Sequence, residues 1–587
     1  MDRKPTEMQQ DAINSKGRVI LKSCPGSGKT YVVAKKMIKE ISEWKYKNSG
    51  VALLSFTNVA SEEAKNRIKE LSNISVVCYP HFIGTIDSFI SKYLYMPFGH
   101  LIMKCKDKPK LIQEESLNMD GFMKQKWKRE CYSNCCSITN FYIDIDGVMK
   151  DTNNKLSQCC VSGKKPCDTL KREMYTKGLG TYMDMTIVAL KILKSYPEIG
   201  RLLANKFPTL IVDEAQDTSE YQMEIIDLLV SYGVGNIMLI GDPDQAIYEW
   251  RDADPSVFIK KYDDKNEWKA KLLNDNFRCS QNICNATKVF SSLDSISRAC
   301  GETSVCKLKP TIYFYERNNN SKEAIDYFLN KCKENDIQIS SENVAVLVRG
   351  RSGLVGKDYS MINNLWQSEG ASIFSQAAYE RDLGNLKRAL KLVENGLKYY
   401  YIDSSRNFIN IDDEKIEKEI GLNVWKKVIF EVCKEMPSSN TELNKWVNLI
   451  EEFLEKVSNK YELNIQDDAK IKIKSRDNKL PDFKQQPIKN FYIKSIKTEE
   501  YLNSTIHSVK GKTFDAVLLI ISSNGKLTAN KLNKAEINSE EIRTGYVAMT
   551  RARQLLVVAF PNTVKKKSLT RFPEELWDYY EGGDVIK

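Results

Sequence analysis

Histidine is the scarcest residue in this chain, with three among 587. With so few, each stands alone in the sequence, and a lone histidine is more often structural than catalytic. Long apolar runs are missing too. The longest, such as "AVLLII" (516–521), are far too short to cross a bilayer. The start, "MDRKPTEMQQDAI", has no apolar stretch fit for a signal peptide. These absences lead us to expect a cytoplasmic protein with no membrane partner, its 15 cysteines mostly reduced thiols. No fixed-period repeat is present, and "RNNNS" (317–321) is the single hint of low complexity. No further Asp/Glu/Lys cluster suggests a metal site for phosphodiester cleavage, so nuclease activity in this chain is not expected.

What is present is ordinary in bulk and specific in detail. Hydrophobic residues make up 42% and charged residues 28%, as in a globular protein, and the length calls for several domains. The net charge of +11 would attract a polyanion, nucleic acid being the commonest, although a solvated basic surface accounts for it equally well. Strand-like runs lead into turn residues at "RVILKSCPGSG", "VALLSFTN", "TLIVDEAQ" and "NIMLIGDPDQ", each followed by a segment that can be helical. A second series follows at "TIYFYE", "NVAVLVRG", "FDAVLLIIS" and "QLLVVAF". The alternation predicts two α/β cores, each a parallel sheet with helices on both faces. Residues 91–180, rich in Lys, Cys and Met, and residues 376–495, with helical patterns such as "WVNLIEEFLEKV", read as insertions into those cores.

The first strand runs into a phosphate loop. Ser23 stands where the pattern's first glycine would, and Pro25, Gly26, Ser27, Gly28, Lys29 and Thr30 complete it. Glycines let successive N–H groups point at phosphate oxygens, Lys29 should reach the β- and γ-phosphates, and the Thr30 hydroxyl should sit on Mg²⁺. The helix that begins there adds its positive end. "TLIVDEAQD" supplies the acidic half of an ATPase site, with Asp213 to hold the Mg²⁺ shell and Glu214 to orient or deprotonate water. A third strand end, "LIGDPDQAIYEWRDAD", places Gln245 where an amide could sense the γ-phosphate.

With these three elements in chain order, the sequence resembles the UvrD/PcrA/Rep family of superfamily 1 DNA helicases along its whole length. The carrying motifs are "PTEMQQDAI", "SFTNVASEEAKNRI", "GTIDSF" (84–89), "LNDNFRCSQNI" (273–283), "TIHSVKGKTFDAVLL" (505–519) and "GYVAMTRARQLLVV" (545–558). The resemblance implies an α/β architecture of two RecA-like parallel-sheet cores with two mostly helical insertions. Core 1A would take residues 1–90 and 181–275, insertion 1B 91–180, core 2A 276–375 and 496–587, and insertion 2B 376–495. It further implies Gln9 and Phe277 on the adenine, and Arg278 and Arg551 as arginine fingers reaching the γ-phosphate from the second core. Phe56, Asn58, Tyr248, Trp250 and His507 would contact single-stranded DNA, on whose bases aromatic rings stack whatever the sequence. ATP with Mg²⁺ and single-stranded or tailed duplex DNA are the expected ligands, and movement would run 3′ to 5′. An RNA-directed motor of the same superfamily is a further reading, since a preference for the 2′-OH is not legible in a sequence.

The pattern departs from the family at four places. Asp87 replaces a usual histidine, Thr513 replaces a glutamate near the ribose, and Ser23 is a mild change in the phosphate loop. Where the family carries a strand-separating hairpin with an aromatic tip, this chain has "PNTVKKKSLTRFPEELW", with no aromatic before Phe572. Lys565, Lys566 and Lys567 could grip phosphate or form a solvated turn. The compact build resembles the short UvrD-like proteins of anti-phage cassettes such as Gabija, which work beside an ATP-dependent nuclease. That suggests an alternative: a DNA-stimulated ATPase subunit of a nuclease complex, without robust unwinding of its own. Last, Cys131, Cys135, Cys136, Cys159, Cys160 and Cys167 form two clusters that could bind Zn²⁺ or an iron–sulfur centre. Their spacing matches no strict signature, and a cysteine-tolerant composition is the simpler account.

Overall fold

The computed structural model describes residues 4–72, 77–106, 108–112, 141–151, 166–247, 254–316, 321–350, 366, 369–404, 411, 413–466, 469, 471–472, 485–492, 501–523, 525–581 and 584–585. The chain divides into two compact units. The larger contains both predicted cores, and the smaller draws its described residues from 356–496.

Core 1 is a sheet of six parallel strands: β1 (Arg18–Ser23), β2 (Val51–Ser55), β3 (Phe82–Thr85), β4 (Thr209–Val212), β5 (Asn236–Gly241) and β6 (Lys269–Leu273). Their order is β6-β1-β5-β4-β2-β3. Core 2 comprises β7 (Thr311–Tyr315), β8 (Val344–Val348), β9 (Leu502–Thr505), β10 (Phe514–Ile520), β11 (Ala552–Pro561), β12 (Asp578–Glu581) and β13 (Asp584–Val585). The order is β9-β8-β10-β11-β7-β12-β13, parallel except for the last pair.

The continuous apolar runs follow from burial on both faces, the rule for parallel strands. Successive side chains point to opposite faces, so one strand serves two cores. In core 1, Ile20, Leu54, Leu210 and Leu239 join one cluster, while Val19, Leu21, Leu53, Ile211 and Ile240 join the other. In core 2 the same split separates Ile312, Leu347, Leu519 and Val558 from Tyr313, Val346, Leu518 and Val557. The expected doubly covered sheets are thus present in both cores. Segment Ser91–Met103 packs its Leu94, Tyr95 and Met103 into the first of these clusters, continuous with core 1.

The smaller unit is helical. Helices Glu369–Asp382, Leu386–Leu397, Leu422–Glu435 and Leu443–Tyr461 surround Trp425 and Trp446, both buried. Trp446 keeps its indole N–H satisfied by donating to the Pro437 carbonyl at 3.1 Å.

The stretch after β11 has a fold of its own. A short 3₁₀ turn at Lys566–Ser568 leads to Leu569, Phe572 and Trp577, all buried in core 2. The Phe572 ring lies 5.3 Å from Phe290, 5.5 Å from Phe560 and 5.1 Å from Trp577, centroid to centroid. Of the three lysines, Lys566 pairs with Glu574 at 2.9 Å and lies over the Tyr579 ring, while Lys565 and Lys567 are exposed. The cysteines at 131, 135, 136, 159 and 160 lie outside the described residues; Cys167 falls in helix Pro166–Thr176 without a described side chain. Among the described residues no group of three or more His, Cys, Asp or Glu could hold a metal ion. Among them, too, no helix is long and apolar enough to cross a membrane.

Phe572 anchors this stretch, and Phe572→Ala should cost about 3–5 kcal/mol as a buried ring becomes a cavity. Urea unfolding of the variant checks this; a midpoint equal to the parent's would show that the ring does not hold the segment down.

Candidate functional site

Apart from "PTEMQQDAI", which precedes β1, the motifs singled out in core 1 follow the carboxyl ends of strands, where open parallel sheets bind their ligands. β1 leads into the phosphate loop, β2 into Phe56 and Asn58, β3 into Asp87, β4 into Asp213 and Glu214, and β5 into Gln245.

The loop is pinned on both sides of β1. The Ser23 hydroxyl donates to the Gly241 carbonyl on β5 at 2.9 Å, and the Cys24 N–H donates to Leu273 on β6 at 2.9 Å. Ser23 therefore works here as a small anchoring residue. Gly26 and Gly28 have φ of +71° and +79°, the left-handed region that glycine enters without strain. A Cβ on Gly26 would stand 2.6 Å from Arg278 Cβ, so the loop and the "NFRCS" segment touch at their backbones. The Phe277 N–H donates to the Gly26 carbonyl at 2.9 Å, and the Asn276 side chain accepts from the N–H groups of Arg278 and Cys279. Helix α1 (Glu7–Asn14) brings Gln9 to the other side. The Gln9 amide donates to the Ser27 carbonyl at 3.0 Å, and its oxygen accepts from Thr6 in a capping box. Helix α2 (Lys29–Ser42) starts at the loop, with Lys29 Nζ 3.9 Å from Asp242.

Asp213 and Glu214 are held by different forces. The Asp213 N–H extends the β2–β4 ladder by donating to Leu54, and Glu214 enters the left-handed region at φ +52°. Burial, then the adjacent Glu214, pushes the Asp213 carboxyl well above the ordinary range. Glu214 is half-buried, but Lys29 and Lys510 outweigh its loss of solvent and pull it below the ordinary range. Glu214 therefore stays ionised, as a group that accepts a proton from water must. Asp213 and the Thr30 hydroxyl are hard oxygen donors that fit Mg²⁺.

Core 2 supplies two guanidinium groups to the same place. Arg551 is 1% exposed and donates to the carbonyls of Val547 (2.9 Å) and Lys512 (3.3 Å) and to the Gln245 side-chain oxygen (2.8 Å). Burial, then the neighbouring Arg278, lowers its pKa to about 9, which leaves it cationic at neutral pH. Half-buried Arg278 donates to Thr550 beside it at 3.2 Å. Gln245 completes the bridge by donating to Asp242 at 2.5 Å. Lys29, Gln245, Arg278 and Arg551 are thus gathered around the loop, with Phe277 half-buried against it.

The residues expected to face DNA are less fully brought together. Asn58 is exposed at the first turn of α3 (Asn58–Leu71), and Phe56 is half-buried just before it. Tyr248 and Trp250 lie outside the described residues. His507 follows β9 in core 2, with Nδ1 3.2 Å from Arg349, which in turn pairs with Glu540 at 2.6 Å. Burial and the Arg349 charge push the His507 pKa down to about 4. Asp87 accepts from Gln222 at 2.8 Å, a bond inside core 1, and Thr513 is exposed.

Sequence reading missed several groups that tie the cores together. Lys510 pairs with Asp217 at 2.6 Å, Arg543 donates to the Ala246 carbonyl at 2.6 Å, and Asp244 accepts from Ser291 and Ser292. Asp217 and Lys510 stand in quoted motifs, "DEAQD" and "HSVKGK", but their 293-residue separation gives no local signal that they meet.

Comparison with known proteins places the chain by similarity. Residues 5–266 match the UvrD/REP helicase N-terminal domain, and residues 377–563 match the UvrD-like helicase C-terminal domain. The chain is 24% identical to the Gabija protein GajB of Bacillus cereus (strain VD045), over 99% of each chain. It is 23% identical to the ATP-dependent DNA helicase PcrA of Staphylococcus epidermidis, over 98% of this chain and 87% of that one. Identity to the ATP-dependent DNA helicase Rep of Buchnera aphidicola is 24%, over 93% and 91%.

The His507 environment makes a testable claim about pH. The folded pKa, about 4, lies below the 6.5 of an unperturbed ring, so the folded state binds fewer protons between these values. The stability contributed is complete above pH 6.5 and is lost as pH falls toward 4. NMR of the chain labelled at histidine, assigned by a His507→Gln variant, should show the His507 ring neutral at pH 5.5; a His507 ring titrating near 6.5 would refute it.

Proposed function

On the premise that this chain belongs to the UvrD-like helicase family, we propose that it is an ATP-driven motor that moves on single-stranded DNA from 3′ to 5′. The observation that carries this reading is the meeting of two facing sheets at one phosphate loop, with acids from core 1 and guanidinium groups from core 2. Loop N–H groups, the α2 N-terminus and Lys29 would hold the phosphates. Glu214 would take a proton from the attacking water, while Gln245 would sense the γ-phosphate. Mg²⁺, held by Thr30 and Asp213, would neutralise developing phosphate charge. Arg278 and Arg551 would stabilise that charge only with the cores together, which couples hydrolysis to closing and opening. Gln9 and Phe277 would take the adenine. Phe56, Asn58, Tyr248, Trp250 and His507 would form the DNA track, with stacking worth about 1–3 kcal/mol per base.

A second reading is favoured by the stretch after β11, whose Phe572 is spent in the core, and by the full-length similarity to a Gabija protein. In it the chain is a DNA-stimulated ATPase subunit that acts in the cytoplasm beside a nuclease in anti-phage defence, without robust unwinding.

Steady-state ATPase with no nucleic acid, with single-stranded DNA and with RNA, together with strand displacement from a 3′-tailed duplex, separates these readings. DNA-stimulated turnover with displacement supports a helicase; turnover without displacement leaves a translocase or the second reading, which movement along single-stranded DNA then tells apart. Stimulation by RNA alone would overturn both. Lys29→Ala and Glu214→Gln should each lower kcat by about 10²–10⁴-fold; parent-like turnover in either would remove that residue from the site.

A further inference from the structure

A buried ion pair joins the two cores beside the phosphate loop, and the role given to it here rests on the motor reading above. Asp217, buried at the end of the 3₁₀ turn Ala215–Asp217 in core 1, accepts from Lys510 Nζ of core 2 at 2.6 Å. The two side chains are 2% and 10% exposed, so the pair is a buried one that spans the cores. The same Asp217 oxygen accepts from Gln216 Nε2 at 3.2 Å. That nitrogen also donates to the Glu214 carboxylate at 2.6 Å. The far end of the Gln216 amide accepts from the Asp242 N–H at 3.0 Å. Gly241 leaves room for that oxygen, since a Cβ there would stand 2.6 Å from it. Asp217 Oδ1 has no hydrogen-bond partner among the described residues, so the link runs through Oδ2.

We propose that Lys510, Asp217 and Gln216 form a closure sensor, in which seating of Lys510 on Asp217 fixes the Gln216 amide and so aims Glu214 at water. The physical reason is competition for one N–H₂ group. With Lys510 in place, the Asp217 charge is satisfied and the Gln216 amide serves Glu214 with its short bond. When the cores part and Lys510 withdraws, Asp217 is left as a buried carboxylate in need of donors. The nearest is Gln216 Nε2, which turns toward Asp217 and loosens its hold on Glu214. The arginine fingers then report closure to the phosphate, and this chain reports it to the water. Lys510, Asp217 and Gln216 are positioning residues, since none touches the reacting atoms.

The test is a mutant cycle on the full chain, reading DNA-stimulated ATPase with a dT oligonucleotide. Lys510→Met and Gln216→Ala should each lower kcat by about 10- to 100-fold, the scale of a misplaced catalytic group. The KM for ATP should stay unchanged, because an interaction made only in the transition state leaves ground-state binding alone. The double variant should be no slower than the worse single one, and Lys510→Arg should recover part of the rate. If Lys510→Met fails to fold, Asp217→Asn takes its place with the same expected pattern. Parent-like kcat in Lys510→Met, or losses that multiply in the double variant, would overturn the sensor. Failure of the motor reading looks different: the unmutated chain would not hydrolyse ATP at all, and the sensor would fall with it.

Discussion

The organisation of this molecule depends on a guanidinium buried where two sheets face each other. Arg551 belongs to core 2 and takes two of its acceptors there, Val547 and Lys512, but its third is the Gln245 side chain of core 1. A buried cation is costly without partners, so the two cores cannot separate without breaking a bond that Arg551 needs. Core 1 answers with acids: Glu214, Asp217 and Asp242 all lie at its strand ends. Core 2 answers with bases: Arg278, Lys510, Arg543 and Arg551 all face it. Opposite charge on facing surfaces makes closure favourable, and a polyphosphate in the phosphate loop would bring further negative charge to the same cations. On the proposed reading, nucleotide state and core separation would be set by the same charges.

The sheets were legible because parallel strands buried on both faces are written as unbroken apolar runs. "TLIVDEAQ" and "NVAVLVRG" could each be placed as a strand and its exit turn, and both form strands here. The phosphate loop was legible for another reason, since glycine, lysine and threonine at fixed spacing solve one local geometric problem. Pairings between cores were not legible. Lys510 is an ordinary lysine in sequence, and only the fold brings it to Asp217. Gln216 was equally hidden, because its meaning lies in joining three groups rather than in its neighbours along the chain. The insertion boundaries follow a similar logic: Ser91–Met103 has the texture of a separate segment yet packs Leu94 and Tyr95 against core 1.

The departures from the family pattern are absorbed locally. Asp87, standing where a histidine is usual, accepts from Gln222, whose own side-chain oxygen caps the helix Glu220–Ser231 by accepting from Ser219. One glutamine thus ties the end of β3 to the helix that follows β4, and the substituted carboxylate gains a donor. Ser23 behaves in the same way, since its hydroxyl stitches β1 to β5 at the point where the first glycine of the loop would otherwise sit. Both replacements put a polar group where a bond inside core 1 is available, so each strengthens the platform beneath the nucleotide loop.

Strand separation sets a stricter condition than translocation. A wedge needs an exposed rigid aromatic, because it must displace a stacked base pair and take over part of its stacking. At the end of β11 and after it this chain commits large rings elsewhere: Phe560, Phe572 and Trp577 are 0%, 1% and 1% exposed, with Phe572 packed on both of the others. Phe572 cannot serve both purposes, because drawing it out would open a cavity beside Phe290 and release the segment that carries β12. The same residues that shorten the segment therefore trade a tool at the surface for stability in core 2. On the motor reading proposed above, any work on a duplex would draw its leverage from a part of the molecule other than the buried Phe560, Phe572 and Trp577 cluster.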